Sequence, residues 1–159
     1  MTVHLNISIA DQRLLLLDDQ GLVKWYPVST ARNGPGEKSG SECTPRGLHQ
    51  VRARIGAEAP IYSVFVGRRF SGEIYSEKLA QENSGRDWIL SRILWLSGLE
   101  PGKNRFGEVD TAWRYIYIHG SPDHLVQGDP ESHGCIRMKN ADIIELFEWV
   151  PARTRVWIE

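Results

Sequence analysis

Val3, Leu5, Ile7 and Ile9 alternate with His4, Asn6 and Ser8. A period of two marks a strand with one buried face, so the chain opens on β structure. Residues 14–17 and 22–28 flank the turn Asp18-Asp19-Gln20-Gly21, which predicts a hairpin. Residues 29–47 are rich in Gly, Ser and Pro and read as a loop. Strand patterns return over 48–55 and 61–66, and the polar, glycine-containing stretch 67–86 is placed to cover a cleft. The apolar run 88–96 fits both periods: Ile89 with Ile93 suits a helix, while its flanks and short length favour a strand. Pro101-Gly102 marks a turn. Residues 114–119 form a β-rich run that puts Tyr115, Tyr117 and His119 on one face. The helix signal is strongest after Asn140, its expected N-cap, with Asp142 in the first turn and an apolar stripe of Ile143, Ile144, Leu146, Phe147 and Val150 ending at Pro151. Thr154, Val156 and Ile158 alternate with Arg155 and Trp157 as a closing strand.

The 159 residues suit a single domain over 1–159, long enough to bury a core without disulfide or metal staples. Lys and Arg total 19 against 20 for Asp and Glu, a net charge of −1, so no long-range field draws nucleic acid or an anionic membrane, and neither partner is expected. No run approaches the ~20 apolar residues of a membrane-spanning helix. Arg outnumbers Lys, and its fork suits carboxylates, although composition bias accounts for most of these residues. The amino terminus lacks the basic region, apolar core and cleavage site of an export signal, which points to the cytoplasm. A mature exported chain given a new Met is the periplasmic alternative. Cys43 and Cys135 are too few for a disulfide scaffold, and a bridge between them would silence a nucleophile.

Ser132-His133-Gly134-Cys135, together with the upstream His119-Gly120, carries the chemistry. A cysteine nucleophile needs an imidazole to take its proton, and glycines beside it let the backbone approach a substrate. His133 and His119 both qualify as that base, and spacing leaves the choice open. The amides of Gly134 and Cys135 are the natural donors to a developing oxyanion. Against this stands the ordinary fate of a free cysteine, a buried inert thiol. His119, His124, His133 and Cys135 also make a nominal zinc set, but without the paired spacing of common zinc sites, so neither metal nor cofactor is expected. His124 reads as a loop residue, and His4 and His49 as strand-surface or packing residues. Asn33-Gly34-Pro35-Gly36 lacks the pattern of a phosphate cradle.

His119-Gly120 and Ser132-His133-Gly134-Cys135-Ile136-Arg137-Met138 resemble the signature of L,D-transpeptidase catalytic domains of the YkuD type, and Thr44-Pro45-Arg46-Gly47 resembles that family's Thr-Pro-x-Gly element. The resemblance runs from the first strand to Val156-Trp157-Ile158. It implies a mainly β fold, a sandwich of mixed sheets with one or two helices, and a cysteine enzyme acting on peptidoglycan stem peptides. Carried over by position, Cys135 is the nucleophile, His119 the general base and acid, and the Gly120 carbonyl orients the His119 ring. His133, Gly134 and Cys135 line the oxyanion site, while Arg137, Ser132 and Tyr117 are substrate-binding candidates. Arg137 is expected either to fork onto a stem-peptide carboxylate or to form a salt bridge within the fold. The implied reaction cleaves a tetrapeptide stem between the L-centre of its third residue, usually diaminopimelate, and D-alanine, through a thioester. Without an export signal, the expectation is L,D-carboxypeptidase activity on muropeptides in murein recycling. Two alternatives are a transpeptidase making 3→3 cross-links and a non-catalytic module that binds murein fragments or zinc.

Overall fold

The computed structural model describes residues 2–159. Alternation becomes register in β1 (His4–Ser8), β2 (Arg13–Asp18) and β3 (Gly21–Pro27). Leu5 pairs with Leu16 and Ile7 with Leu14 across an antiparallel ladder, and all four side chains are fully buried. A slip of one residue would turn that set to water, so burial fixes the register. The other elements are β4 (Gly47–Ile55), β5 (Ser63–Val66), β6 (Arg69–Ile74), α1 (Glu77–Glu82), β7 (Leu90–Gly98), β8 (Tyr117–Gly120), β9 (Ile136–Met138), α2 (Asn140–Trp149) and β10 (Arg155–Ile158).

One mixed sheet runs in the order β3-β2-β1-β10-β4-β7-β5-β6, and the pair β8-β9 branches from β7. β10 lies parallel to β1 and antiparallel to β4, joining the two ends of the chain. The main core gathers Leu5, Val51, Leu94, Ile118, Ile136 and Val156 from both limbs of the sheet and closes over them with Ile143, Leu146 and Phe147 of α2. Each such side chain contributes about 1.5–3 kcal/mol over leaving it exposed. The run 88–96 is strand from Leu90 onward, as its flanks favoured, because β7 is hydrogen-bonded on both sides and buried on both faces.

Four local expectations are corrected. Part of the predicted loop 29–47 is core: Ser29, Thr30 and Ala31 are buried, and Ser29 exchanges backbone bonds of 2.9 Å with Arg137. Their small side chains let the backbone lie close against β9. Strand structure in 61–66 starts only at Ser63, since Tyr62 has a φ of 68° that no strand accommodates. Stretch 67–86 keeps its place beside a cleft, since it forms β6 and α1 and brings Arg68 to the cavity that Cys135 lines. In 114–119 the strand begins at Tyr117, because turn bonds from Arg114 N to Asp110 O and from Tyr115 N to Ala112 O curl the chain, with Tyr115 at φ 57°. Asn140 is the first helical residue rather than the cap, and the Asp123 carboxylate accepts its backbone N–H at 3.0 Å, providing the cap from a distant turn.

His49 is a packing residue and His4 is exposed, as read from the strand patterns. The His49 ring donates Nδ1–H to Gly47 O and accepts from Thr111 Oγ1, both at 3.0 Å. Burial holds its pKa down at about 4. The folded value lies below the unfolded value of ~6.5, so the stability from neutral His49 is complete above pH 6.5 and is lost as pH falls towards 4. The expected loss is roughly 3 kcal/mol. Urea unfolding at pH 7 and pH 4.5 will show it, and His49→Gln will flatten the pH dependence; equal slopes for wild type and variant would refute the assignment.

Candidate active site

β8 and β9 run parallel, with His119 opposite Arg137 and Ile118 opposite Ile136. Alternation along the two strands therefore directs Tyr117, His119, Cys135 and Arg137 to the same face, with Cys135 and His119 as diagonal neighbours. All four line a cavity of about 320 Å³, together with Ser132, His133, Arg114, Arg68 and Asp87. The proposed nucleophile and both candidate bases thus share one cavity. The proposed zinc set does not assemble: His124 lines a different cavity with Tyr62 and Tyr75, and no group of three metal-ligating side chains converges among the described residues.

Cys135 Sγ accepts the Tyr117 N–H at 3.3 Å and donates to Tyr115 O at 3.4 Å. Burial pushes the thiol up to about 12, against the downward pull of the Tyr117 N–H. Cys135 and Cys43 are both free thiols. His119 is buried, and its Nδ1 lies 2.6 Å from Gly120 O. A carbonyl only accepts, so Nδ1 carries the proton and Nε2 holds the lone pair. Burial lowers the pKa of the ring. With the thiol pushed up and the imidazole pushed down, burial disfavours the thiolate–imidazolium form of the pair, and no hydrogen bond joins Sγ to His119 among the described residues.

The Cys135 loop is fixed from both sides. Gly134 has a φ of 135°, conformational space that only glycine enters easily, and a Cβ there would crowd Ile116. Thr44 Oγ1 donates to Gly134 O and accepts from Ala31 N, both at 2.9 Å. Arg114 Nη2 in turn grips Cys43 O at 2.6 Å. Burial lowers the pKa of this guanidinium, while Cys43 and Cys135 pull it upward.

Three sequence assignments change in this geometry. The Ser132 hydroxyl, expected to meet substrate, donates to Cys135 O at 2.6 Å and accepts from Gly134 N at 3.2 Å, so it braces the loop. The Gly134 amide, expected to face an oxyanion, is spent on that same hydroxyl. Arg137 takes the second of its two expected roles: its Nη2 lies 3.1 Å from Asp87, and it is mostly buried. Tyr117 remains on the cavity wall, its hydroxyl accepting from Arg68 Nη1 at 3.0 Å, with its pKa raised by burial. Sequence reasoning missed Arg68, Arg114 and Asp87. The excess of Arg over Lys was the one signal that pointed towards the two arginines, and nothing marked Asp87.

A family model, YkuD L,D-transpeptidase catalytic domain, matches residues 2–158. Over 43 residues, 27% of the chain, the sequence is 49% identical to the probable L,D-transpeptidase YbiS of Escherichia coli K12, a match covering 14% of that protein. The fold is similar to a solved L,D-transpeptidase fragment from Xylanimonas cellulosilytica, with 21% identity and a TM-score of 0.56 over 99% of this chain and 60% of that one. It is also similar to an L,D-transpeptidase from Mycobacterium smegmatis, with 16% identity and a TM-score of 0.57 over 99% of this chain and 58% of that one. The chain thus spans less than two thirds of the relatives it matches.

Proposed function

The chain belongs to the L,D-transpeptidase catalytic-domain family, and from that premise we propose that it transfers the acyl group of a peptidoglycan stem peptide through Cys135. The observation that carries the reading is the shared face of β8 and β9, which puts a thiol and the lone-pair nitrogen of a carbonyl-oriented imidazole in one cavity. His119 Nε2 takes the Cys135 proton as sulfur attacks the carbonyl on the L-centre of the third residue of a tetrapeptide. The carbonyl oxygen becomes an oxyanion, for which the backbone amides of His133 and Cys135 are the proposed donors, since Ser132 occupies that of Gly134. Collapse breaks the C–N bond, His119 returns the proton to the departing amine of D-alanine, and a thioester remains on Cys135.

A second nucleophile then gives its proton to His119 and displaces the sulfur, which is reprotonated. Water in that role makes an L,D-carboxypeptidase of murein recycling. An amine of another stem makes a 3→3 cross-link. Incubating the protein with a tetrapeptide muropeptide, with and without an acceptor stem, and following products by mass spectrometry tests both steps. Free D-alanine and a tripeptide product even with acceptor present support the hydrolase, and a cross-linked dimer reassigns the second step. No D-alanine, with Cys135→Ala behaving like wild type, leaves a binding module.

A further inference from the structure

The cavity carries more positive charge than its own carboxylate neutralises, since Arg68, Arg114 and Arg137 line it with Asp87. Arg137 is paired with Asp87, and Arg114 is committed to the carbonyls of Gly36, Glu37 and Cys43. Arg68 meets no carboxylate within 4 Å among the described residues.

Arg68 lies at the tip of the β5–β6 hairpin. Val66 pairs with Arg69, so Gly67 and Arg68 form a two-residue turn, with φ of 56° and 65°. Both values belong to the turn type that matches strand twist, but a side chain disfavours that left-handed conformation. Contacts beyond the turn hold it. The guanidinium lies 4.8 Å from the centre of the Trp95 ring and 5.0 Å from that of Tyr115, and Nη1 donates to Tyr117 Oη. Stacking uses the face of a guanidinium and hydrogen bonding uses its edge, so the two do not compete. One of the five N–H donors is engaged, which leaves an edge for the two parallel bonds of a carboxylate fork.

We propose that Arg68 determines specificity by binding a carboxylate of the acyl-donor stem peptide at the rim of the Cys135 cavity, a reading that rests on the proposed acyl transfer. Trp95, Tyr115 and Tyr117 pre-organise the guanidinium, so little side-chain freedom is lost when the peptide docks. Arg137, for which the sequence left a carboxylate fork and a salt bridge both open, is paired with Asp87, and Arg68 is the guanidinium of this cavity without a carboxylate partner among the described residues.

Calorimetric binding to protein carrying Cys135→Ala tests this without turnover, using the tetrapeptide as free acid and with each carboxylate amidated in turn. Amidating one carboxylate is expected to weaken binding about tenfold. Arg68→Gln should weaken the free acid by about the same factor and erase the preference for acid over amide, and Arg68→Lys should restore part of it. Arg68→Gln that binds the free acid as tightly as its parent, or keeps the full preference, overturns the proposal, as does a peptide that shows no such preference at all. Wild-type protein that binds the peptide with the Arg68 preference but releases no D-alanine counts against acyl transfer and leaves the Arg68 assignment standing.

Discussion

Cys135→Ala is expected to lower D-alanine release from a tetrapeptide stem by at least about 10³-fold, and His119→Gln by a similar factor, with the double variant little worse than either alone. The non-additivity follows from one proton moving between the two groups: sulfur without its base stays a thiol, and a base without the sulfur has nothing to activate. Their resting electrostatics add a second expectation. Burial pushes the thiol up to about 12 and lowers the imidazole pKa, so a preformed thiolate–imidazolium pair is disfavoured. Proton transfer then accompanies attack, once substrate has displaced water and brought a carbonyl to the sulfur. In the free protein, alkylation of Cys135 by iodoacetamide should be slow at pH 7 and still rising at pH 10. A rate that levels off near neutral pH would instead mean a standing ion pair.

Gly120→Ala is expected to destabilise the fold by about 3 kcal/mol and lower its melting temperature by roughly 10 °C. Gly120 pairs directly with Leu90 across β7 and β8, and a Cβ on it would press into the Leu90 carbonyl and meet Asn140 Oδ1 at 3.0 Å. Those neighbours have little room to give. Asn140 Oδ1 accepts from Ser91 Oγ at 2.6 Å, and its Nδ2 holds Ser121 O at 2.8 Å and Asp123 at 3.0 Å. Any relief of the clash also moves the Gly120 carbonyl that orients His119, so surviving protein should lose activity. Thermal melting followed by circular dichroism reads the first effect. A variant that melts within 1 °C of wild type would show that the close approach of β7 to β8 is not a constraint.

The parts of this protein that were legible in its sequence are those set by neighbours along the chain. β1 and α2 follow from periodicity, because burial on one face imposes it, whereas the β2–β3 hairpin follows from apolar runs on either side of a turn and β7 from the flanks and shortness of a run buried on both faces. Cys135, Gly134 and His133 were legible because they are consecutive, while the choice of His119 over His133 as base, with the Gly120 carbonyl orienting it, came only from the family resemblance. The boundaries that moved were decided by groups far away in sequence: Asp123 caps α2, and the backbone of Arg137 draws Ser29 into the core. Arg68, Arg114 and Asp87 stand in polar or turn-rich stretches with no period, and only the pairing of strands brings them to Cys135. Ser132 shows the converse. Its place beside the nucleophile suggested contact with substrate, but a hydroxyl so near in sequence finds the loop's own carbonyl and amide first.

The proposed reaction passes through one covalent bond, between Cys135 Sγ and the acyl carbon of a stem peptide. Mixing the protein with tetrapeptide, quenching in acid within the first turnover and weighing the intact chain reads that bond directly. The expected result is a fraction of protein heavier by the tetrapeptide less one D-alanine, with the added mass on the peptide containing Cys135 and absent from Cys135→Ala. Release of D-alanine at the wild-type rate by Cys135→Ala, or an adduct on any other residue, would contradict it.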